Sequence, residues 1–360
     1  HEMTIEDIHG KFNLNNESLE LRRMAGKVGK TDLSVNARYY LGINDSIGKT
    51  INKIEIWSEY ADFDQLSNYS EIHNDQAQGT QDYDTVFNIY TLPFTDLALA
   101  INIGQLNYHK HLVSEVNADL RLQKDHLMHV DTLRFYSSGG AFDISGYFDG
   151  SNADSIFFYP EIKVAQVNLE EMLYRFDNFG QDYIISDNLS GRLSGEVRGK
   201  VHVHADLVPI LNNADLFLDF MIVDGSLRNY KPMNALAEYF TDKNLSNIRF
   251  DTLSNQLEIK NGVISIPKMT INSSLGFMDI SGSQNFDSHM EYYIRVPLKL
   301  VSSAAWKKLF GKRKNVTDST NIDAIQYKND KRKYWYVNLM LEGTPDNYSV
   351  RLGKRQKKKG

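Results

Sequence analysis

Apolar and polar residues alternate with a period of two over much of this 360-residue chain. Val116, Ala118, Leu120 and Leu122 point one way, while Glu115, Asn117, Asp119 and Arg121 point the other, as in a strand with one apolar face. Leu193, Val197, Val201, Val203 and Leu207 repeat the pattern against Arg192, Glu196, Arg198, His202 and His204. Leu218 and Phe220 continue it, and Trp335, Val337, Leu339 and Leu341 place it once more near the end. Earlier strands are read over Phe12–Leu21, Asp32–Leu41 and Thr50–Trp57. Helical spacing is confined to short pieces. Asp62-Phe63-Asp64-Gln65 is a capping-box start, and so is Asn168 with Glu171, followed by the stripe Leu169, Met172, Leu173 and Phe176. After Pro232, residues Met233, Leu236, Ala237 and Phe240 share one helical face. More than half of the residues are therefore expected in strands and fewer than about a sixth in helices.

The chain also repeats itself. Phe135–Gly146 (FYSSGGAFDISG) aligns without gaps on Ile271–Gly282 (INSSLGFMDISG), and Met24–Ser34 (MAGKVGKTDLS) is a fainter third copy. Each is trailed by strands and a short helix, at Asp62, at Val167–Met172 and at Val301–Phe310. The expectation is an array of units, each closed by a helix that covers a sheet edge or end.

The stretch from Asp215 to Phe310 holds the densest signals. Strand, Asp224-Gly225, the Pro232 helix and a meander broken at Asn261-Gly262 and Gly282 follow in order, with Asp-Gly and Asn-Gly read as hairpin turns. From about Leu216 to Leu300, the DG-x-L of Asp224–Leu227, the lone helix, the NG-x-I of Asn261–Ile264 and the GFMDISG strand resemble the C-terminal region of the AsmA-like family of bacterial envelope proteins. That family resembles the bridge-type lipid carriers, in which a rolled sheet makes a hydrophobic groove for acyl chains. The resemblance implies a part in outer-membrane biogenesis, in the periplasm, with an N-terminal anchor in the inner membrane. The chain opens His1-Glu2-Met3 with strand pattern from Thr4, which reads as a piece of something longer.

The resulting division is a partial β-repeat with a short helix over 1–70, a polar loop over 71–85, a β-repeat with a short helix over 86–180, an AsmA-like β module over 181–311, a basic polar loop over 312–333, final strands over 334–352 and a basic tail over 353–360. The fold class is all-β with a few short helices: an elongated, curved antiparallel sheet built from repeats and forming a hydrophobic groove.

Composition narrows the chemistry. The absence of Cys removes disulfides and thiolate chemistry. The net charge of −6 is uneven: residues 306–360 hold 15 Lys/Arg against 5 Asp/Glu, a net +10, which leaves −16 on the first 305 residues. An acidic body of that size repels a phosphate backbone, so nucleic acid is not an expected partner. The basic end, with Trp306, Lys307, Lys308, Lys312, Arg313 and Lys314 around a short apolar stripe, suits either the C-terminal end of a helix dipole or an anionic membrane surface. The Walker-like strings Gly26–Thr31 and Gly42–Thr50 have the wrong glycine spacing and are followed by strand pattern, so they read as turns. His109-x-His111, His126-x-x-His129 and His202-x-His204 lack a third ligand nearby, and no nucleophile or paired-acid order emerges, so neither a metal, a cofactor nor catalysis is expected.

A long sheet with one apolar face must cover that face. With few helices to do so, the sheet rolls onto itself or leaves an apolar trough. The candidate lipid-facing residues are Leu120, Leu122, Val201, Val203, Leu218, Phe220, Val337 and Leu339. The expected partner is phospholipid or another acyl lipid, with a membrane surface and envelope proteins beside it. The alternative is a non-enzymatic assembly factor whose apolar core is shut.

Overall fold

The computed structural model describes residues 4–41, 52–66, 88–91, 94–108, 110–175, 178, 185–205, 208–234, 245–301 and 324–353. The protein is all-β with a few short helices: among the described residues strands take 72% and helices 7%. The chain forms two compact units, the first of residues 1–164 and 197–214, the second of residues 165–196 and 215–360.

Unit 1 contains β1 (Ile5–Leu14), β2 (Ser18–Val28), β3 (Thr31–Tyr40), β4 (Asn52–Asp62), β5 (Leu97–Tyr108), β6 (His111–Gln123), β7 (Leu127–Ser137) and β8 (Gly140–Asp149). Each pairs with its sequence neighbour, antiparallel except for the parallel pair β4 and β5. A parallel pair cannot be joined by a tight turn. Here the crossover contains the helix α1 (Phe63–Leu66) and a 3-10 turn at Ile89–Thr91.

The registers carry the period-two alternation across the sheet. Phe12, Leu21, Ala37, Ile54, Leu99, Leu120 and Val130 form one row of paired positions from β1 to β7. Met24, Val35, Ile56, Ile101, Ala118, Leu133 and Ile144 form the next, from β2 to β8. The intervening positions put charges on the opposite face. There Glu20 accepts from Arg22 at 2.6 Å and Arg38 at 2.9 Å, Arg121 holds Asp131 at 2.5 Å, and Arg134 holds Asp143 at 2.9 Å. Such exposed pairs add little stability each, but they keep that face wet.

Strands β9 (Ile156–Asn168), β10 (Leu189–Val203) and β11 (Pro209–Arg228) contribute residues to both units. Unit 2 also contains α2 (Leu169–Arg175), α3 (Lys231–Asn234), β12 (Asn247–Lys260), β13 (Val263–Ser273), β14 (Gly276–Asn285), β15 (Met290–Pro297), β16 (Tyr336–Thr344) and β17 (Asn347–Leu352). From Asp215 onward, β11 to β17 pair as an antiparallel meander.

The internal repeat holds at the level of hydrogen-bond register. β2–β3, β7–β8 and β13–β14 are each an 11-residue strand, a two-residue tip and a 10-residue strand. Each also breaks register at the equivalent place, between Leu21 and Met24, Val130 and Leu133, and Ile266 and Met269. Two residues there face one, which is a β-bulge that sharpens the local twist. It also explains Pro267, since a bulge spares the ladder the missing amide. Each hairpin is followed by a strand and a helical turn. Of the helix expected over Val301–Phe310, residues 302–310 lie outside the described residues, as do Leu236, Ala237 and Phe240 of the Pro232 helix.

Two of the helical turns settle against their hairpin tips. In β2–β3, Gly29 takes φ +60° and Gln65 of α1 sits against it, accepting from the Lys30 amide at 2.7 Å. The Thr31 hydroxyl accepts from the Asp62 amide at 2.9 Å. In β13–β14, Leu300 of the 3-10 turn Leu298–Leu300 lies over Gly276. Half of each expected capping box forms. Asp62 caps the Gln65 amide at 3.0 Å and Asn168 the Glu171 amide at 3.1 Å, but Gln65 turns to Lys30 and Glu171 to Arg175.

Four expectations need correction. Phe12–Leu21 is not one strand: Asn15 turns the chain, accepting from the Glu17 and Ser18 amides. Asp224-Gly225 is no hairpin turn but a kink inside β11, with Asp224 at φ 51° and Gly225 under the Phe250 ring. Gly282 does not break the meander but sits within β14, where the Glu291 carbonyl crosses closely. Trp335 leaves the alternation of β16: it precedes the strand and is 82% exposed. In contrast, Asn261-Gly262 makes the expected tight turn between β12 and β13, both residues at positive φ.

A Cβ at position 282 would stand 2.1 Å from the Glu291 carbonyl oxygen, so Gly282→Ala should force β14 and β15 apart. The expected cost is roughly 1–3 kcal/mol, seen as a lower melting temperature. Gly353→Ala, with nothing nearer than 3.5 Å, should melt like the parent.

Candidate functional site

The two units treat their apolar faces differently. In unit 2 the face is filled by the protein itself. Leu275, Met290 and Val296 are fully buried, and Ile294, Leu339 and Leu341 nearly so, with Leu227, Met233, Leu298 and Val350 packed around them. Val337 and Leu339, named from the sequence as lipid-facing, belong to this filled cluster, at 4% and 1% exposed. Leu218 and Phe220 on β11 are half-buried.

In unit 1 cover is graded along the sheet. Val130, Phe142 and Phe148 are buried towards β8. There Ile89 is 1% exposed and donates its amide to the Ala205 carbonyl at 2.9 Å. Tyr90 donates its hydroxyl to the Gly150 carbonyl at 2.7 Å, and the Tyr90 and Phe94 rings pack on His126. Val201 and Val203 on β10 are buried as well. Moving away from this plug, Leu120, Leu99, Ile101, Ile54, Ile56, Val35 and Leu21 are only half-buried. On β1, Phe12 and Leu14 are 63% and 58% exposed. Leu122, beside Leu120, is just buried, at 9%. Of the eight predicted residues, Leu120, Leu122, Val201 and Val203 thus belong to unit 1, the other four to unit 2.

A cavity of about 900 Å³ opens on the unit 1 sheet and crosses six strands, from Asp7 of β1 to Asn117 of β6. It takes in Leu33, Trp57, Ile103 and Val116, among many polar and charged groups that include Lys27, Asp32, Glu59 and Glu115. It is an open depression on the sheet and does not enclose a ligand. The sequence pointed to Leu120 and Leu122 but not to the plug. Its signal was Asn88–Phe94 (NIYTLPF), an apolar run without period-two alternation beside a polar loop.

Among the described residues no three His, Cys, Asp or Glu side chains converge as a metal cage would require. His126 packs among rings, and His202 meets Phe157 edge-on at 4.1 Å. His109 lies outside the described residues, as do Trp306, Lys307, Lys308, Lys312, Arg313 and Lys314. Gly29-Lys30 is the β2–β3 tip, with a strand behind it.

Unit 2 holds one charge constellation that the alternation concealed. The Asp279 carboxylate, 2% exposed, accepts from Thr270 at 2.8 Å and lies 3.1 Å from Lys268, 3.1 Å from Arg295 and 3.6 Å from Lys328. Its counterpart in the second hairpin, Asp143, is 45% exposed and among the described residues pairs with Arg134. Burial pushes the Asp279 carboxyl up, but the Thr270 hydrogen bond and the Lys268 and Lys328 charges outweigh it, leaving it below its ordinary value. A depressed folded-state pKa contributes stability above the unfolded value, about 3.9, that is lost as pH falls towards the folded one. Acid titration of stability in the parent should therefore steepen below about pH 4. Asp279→Asn should flatten that limb and cost roughly 1.5–3 kcal/mol at neutral pH, measured by urea unfolding.

Comparison with protein-family models, with curated proteins and with solved structures finds no match to this chain, so the AsmA-like resemblance rests on the residues that carry it.

Proposed function

We propose that unit 1 holds acyl lipid along its apolar face, and that the chain is the periplasmic part of an AsmA-like envelope protein conducting lipid between inner and outer membrane without catalysing a reaction. The observation that carries this reading is the half-buried state of the apolar rows from β2 to β5, beside a face that, among the described residues, is plugged towards β8. Apolar side chains left at that exposure over several adjacent strands gain by receiving an apolar ligand. Each methylene transferred from water is worth about 0.8 kcal/mol, so ten along the rows would hold a chain with about 8 kcal/mol before the costs of ordering it. Inner-membrane anchoring by a segment outside this chain follows from the family resemblance. The filled cluster of unit 2 supports a second reading, an assembly factor with its core shut, for that half of the chain.

Two aspartates separate the readings. Leu120→Asp puts a carboxylate on a half-buried row where water can reach it, and should abolish binding of a fluorescent fatty acid with little change in melting. Leu339→Asp puts the same group into the filled cluster and should unfold unit 2. A parent that binds no labelled lipid, or a Leu120→Asp variant that melts like Leu339→Asp, would refute the trough.

A further inference from the structure

Residues 327–335 (YKNDKRKYW) lead into β16, and all of them but Lys328 and Tyr334 are exposed. Just before them the Gln326 amide donates to the Ser273 carbonyl at 3.0 Å, the Lys328 amide donates to Asn272 at 3.0 Å, and the Trp335 carbonyl accepts from the Leu298 amide at 2.8 Å. Pinned in this way, the segment still leaves Tyr327 60% and Trp335 82% exposed. Lys331, Arg332 and Lys333, immediately before the Tyr334-Trp335 pair, are exposed as well. Behind them stands more positive charge. Lys299 lies over the Phe277 ring at 5.2 Å and the Tyr334 ring at 5.9 Å, and Arg295 over Tyr336 at 4.3 Å. Two carboxylates share this surface, Asp330 within the segment and Asp251, which Tyr327 reaches, against the cations Lys331, Arg332 and Lys333, while Asp279 is buried among Lys268, Arg295 and Lys328.

We propose that this surface of unit 2 docks on an anionic lipid bilayer, with Trp335 and Tyr327 entering the headgroup layer and Lys331, Arg332 and Lys333 facing the lipid phosphates. A fully solvated indole on a fixed backbone is the side chain that gains most at a membrane interface, where an apolar ring and a polar N–H are both accommodated. Three adjacent cations supply the attraction that brings it there. The surface stands independently of the unit 1 trough: it rests on other residues, and its test uses vesicles instead of single lipids.

The test is co-sedimentation of the full chain with vesicles of equal parts phosphatidylglycerol and phosphatidylcholine, and with phosphatidylcholine alone, at low and high salt. The chain should bind the anionic vesicles and release them in salt. Lys331→Gln, Arg332→Gln and Lys333→Gln combined should weaken binding roughly a hundredfold, and Trp335→Ala roughly tenfold, at unchanged melting temperature. Leu120→Asp should bind vesicles like the parent. Equal binding to phosphatidylcholine alone, unchanged binding by the triple variant, or equal affinity for duplex DNA or a polyglutamate would each overturn the proposal.

Discussion

A β-sheet with one apolar face has to lay that face against something, and the length of sheet in this chain outruns the helix available to cover it. Unit 2 meets the demand with its own side chains, closing around Leu275, Met290 and Val296. Among the described residues unit 1 meets it towards β8, where Ile89 and Tyr90 act as a plug. The difference is not in the pattern, since Leu120 and Leu339 occupy equally regular alternations. It lies in what the intervening segments bring back over the sheet.

This is also why the sequence was readable in some respects and not in others. Which face a strand residue takes is local, so Val116 to Leu122 could be assigned from spacing alone. Tips are local too, and Asn261-Gly262 turned as its φ preferences require. Asp224-Gly225 has the same preferences, yet they serve a kink within β11, because positive φ admits a turn and an in-strand kink alike. Burial is settled at a distance: Leu120 and Val337 look alike in sequence, and only their surroundings leave one half-open and the other shut. Asp279 and Asp143 share the motif DISG but differ in what the neighbouring segments supply, three cations against one.

The three hairpins show how a repeat can outlive its letters. Their bulge pairs are Arg22-Arg23, Asp131-Thr132 and Pro267-Lys268, which have nothing in common as residue types. What is shared is geometry: the same strand lengths and the same extra residue. A bulge at a constant distance from the tip gives each hairpin the same added twist, so it is the count of residues that must be kept.

The parallel pairing of β4 with β5 bears on how the polypeptide acquires its structure. Antiparallel neighbours joined by two or three residues zip within microseconds, since little chain entropy opposes them. β5 must instead wait for the crossover of residues 63–96 to close, a non-local step of the kind that slows folding. Until then β4 is an unprotected edge carrying Ile54 and Ile56, next to hairpins that have already zipped. The seam between β4 and β5 is consequently where a nascent chain is most open to mispairing, and where a chaperone that shields strand edges would have most to protect.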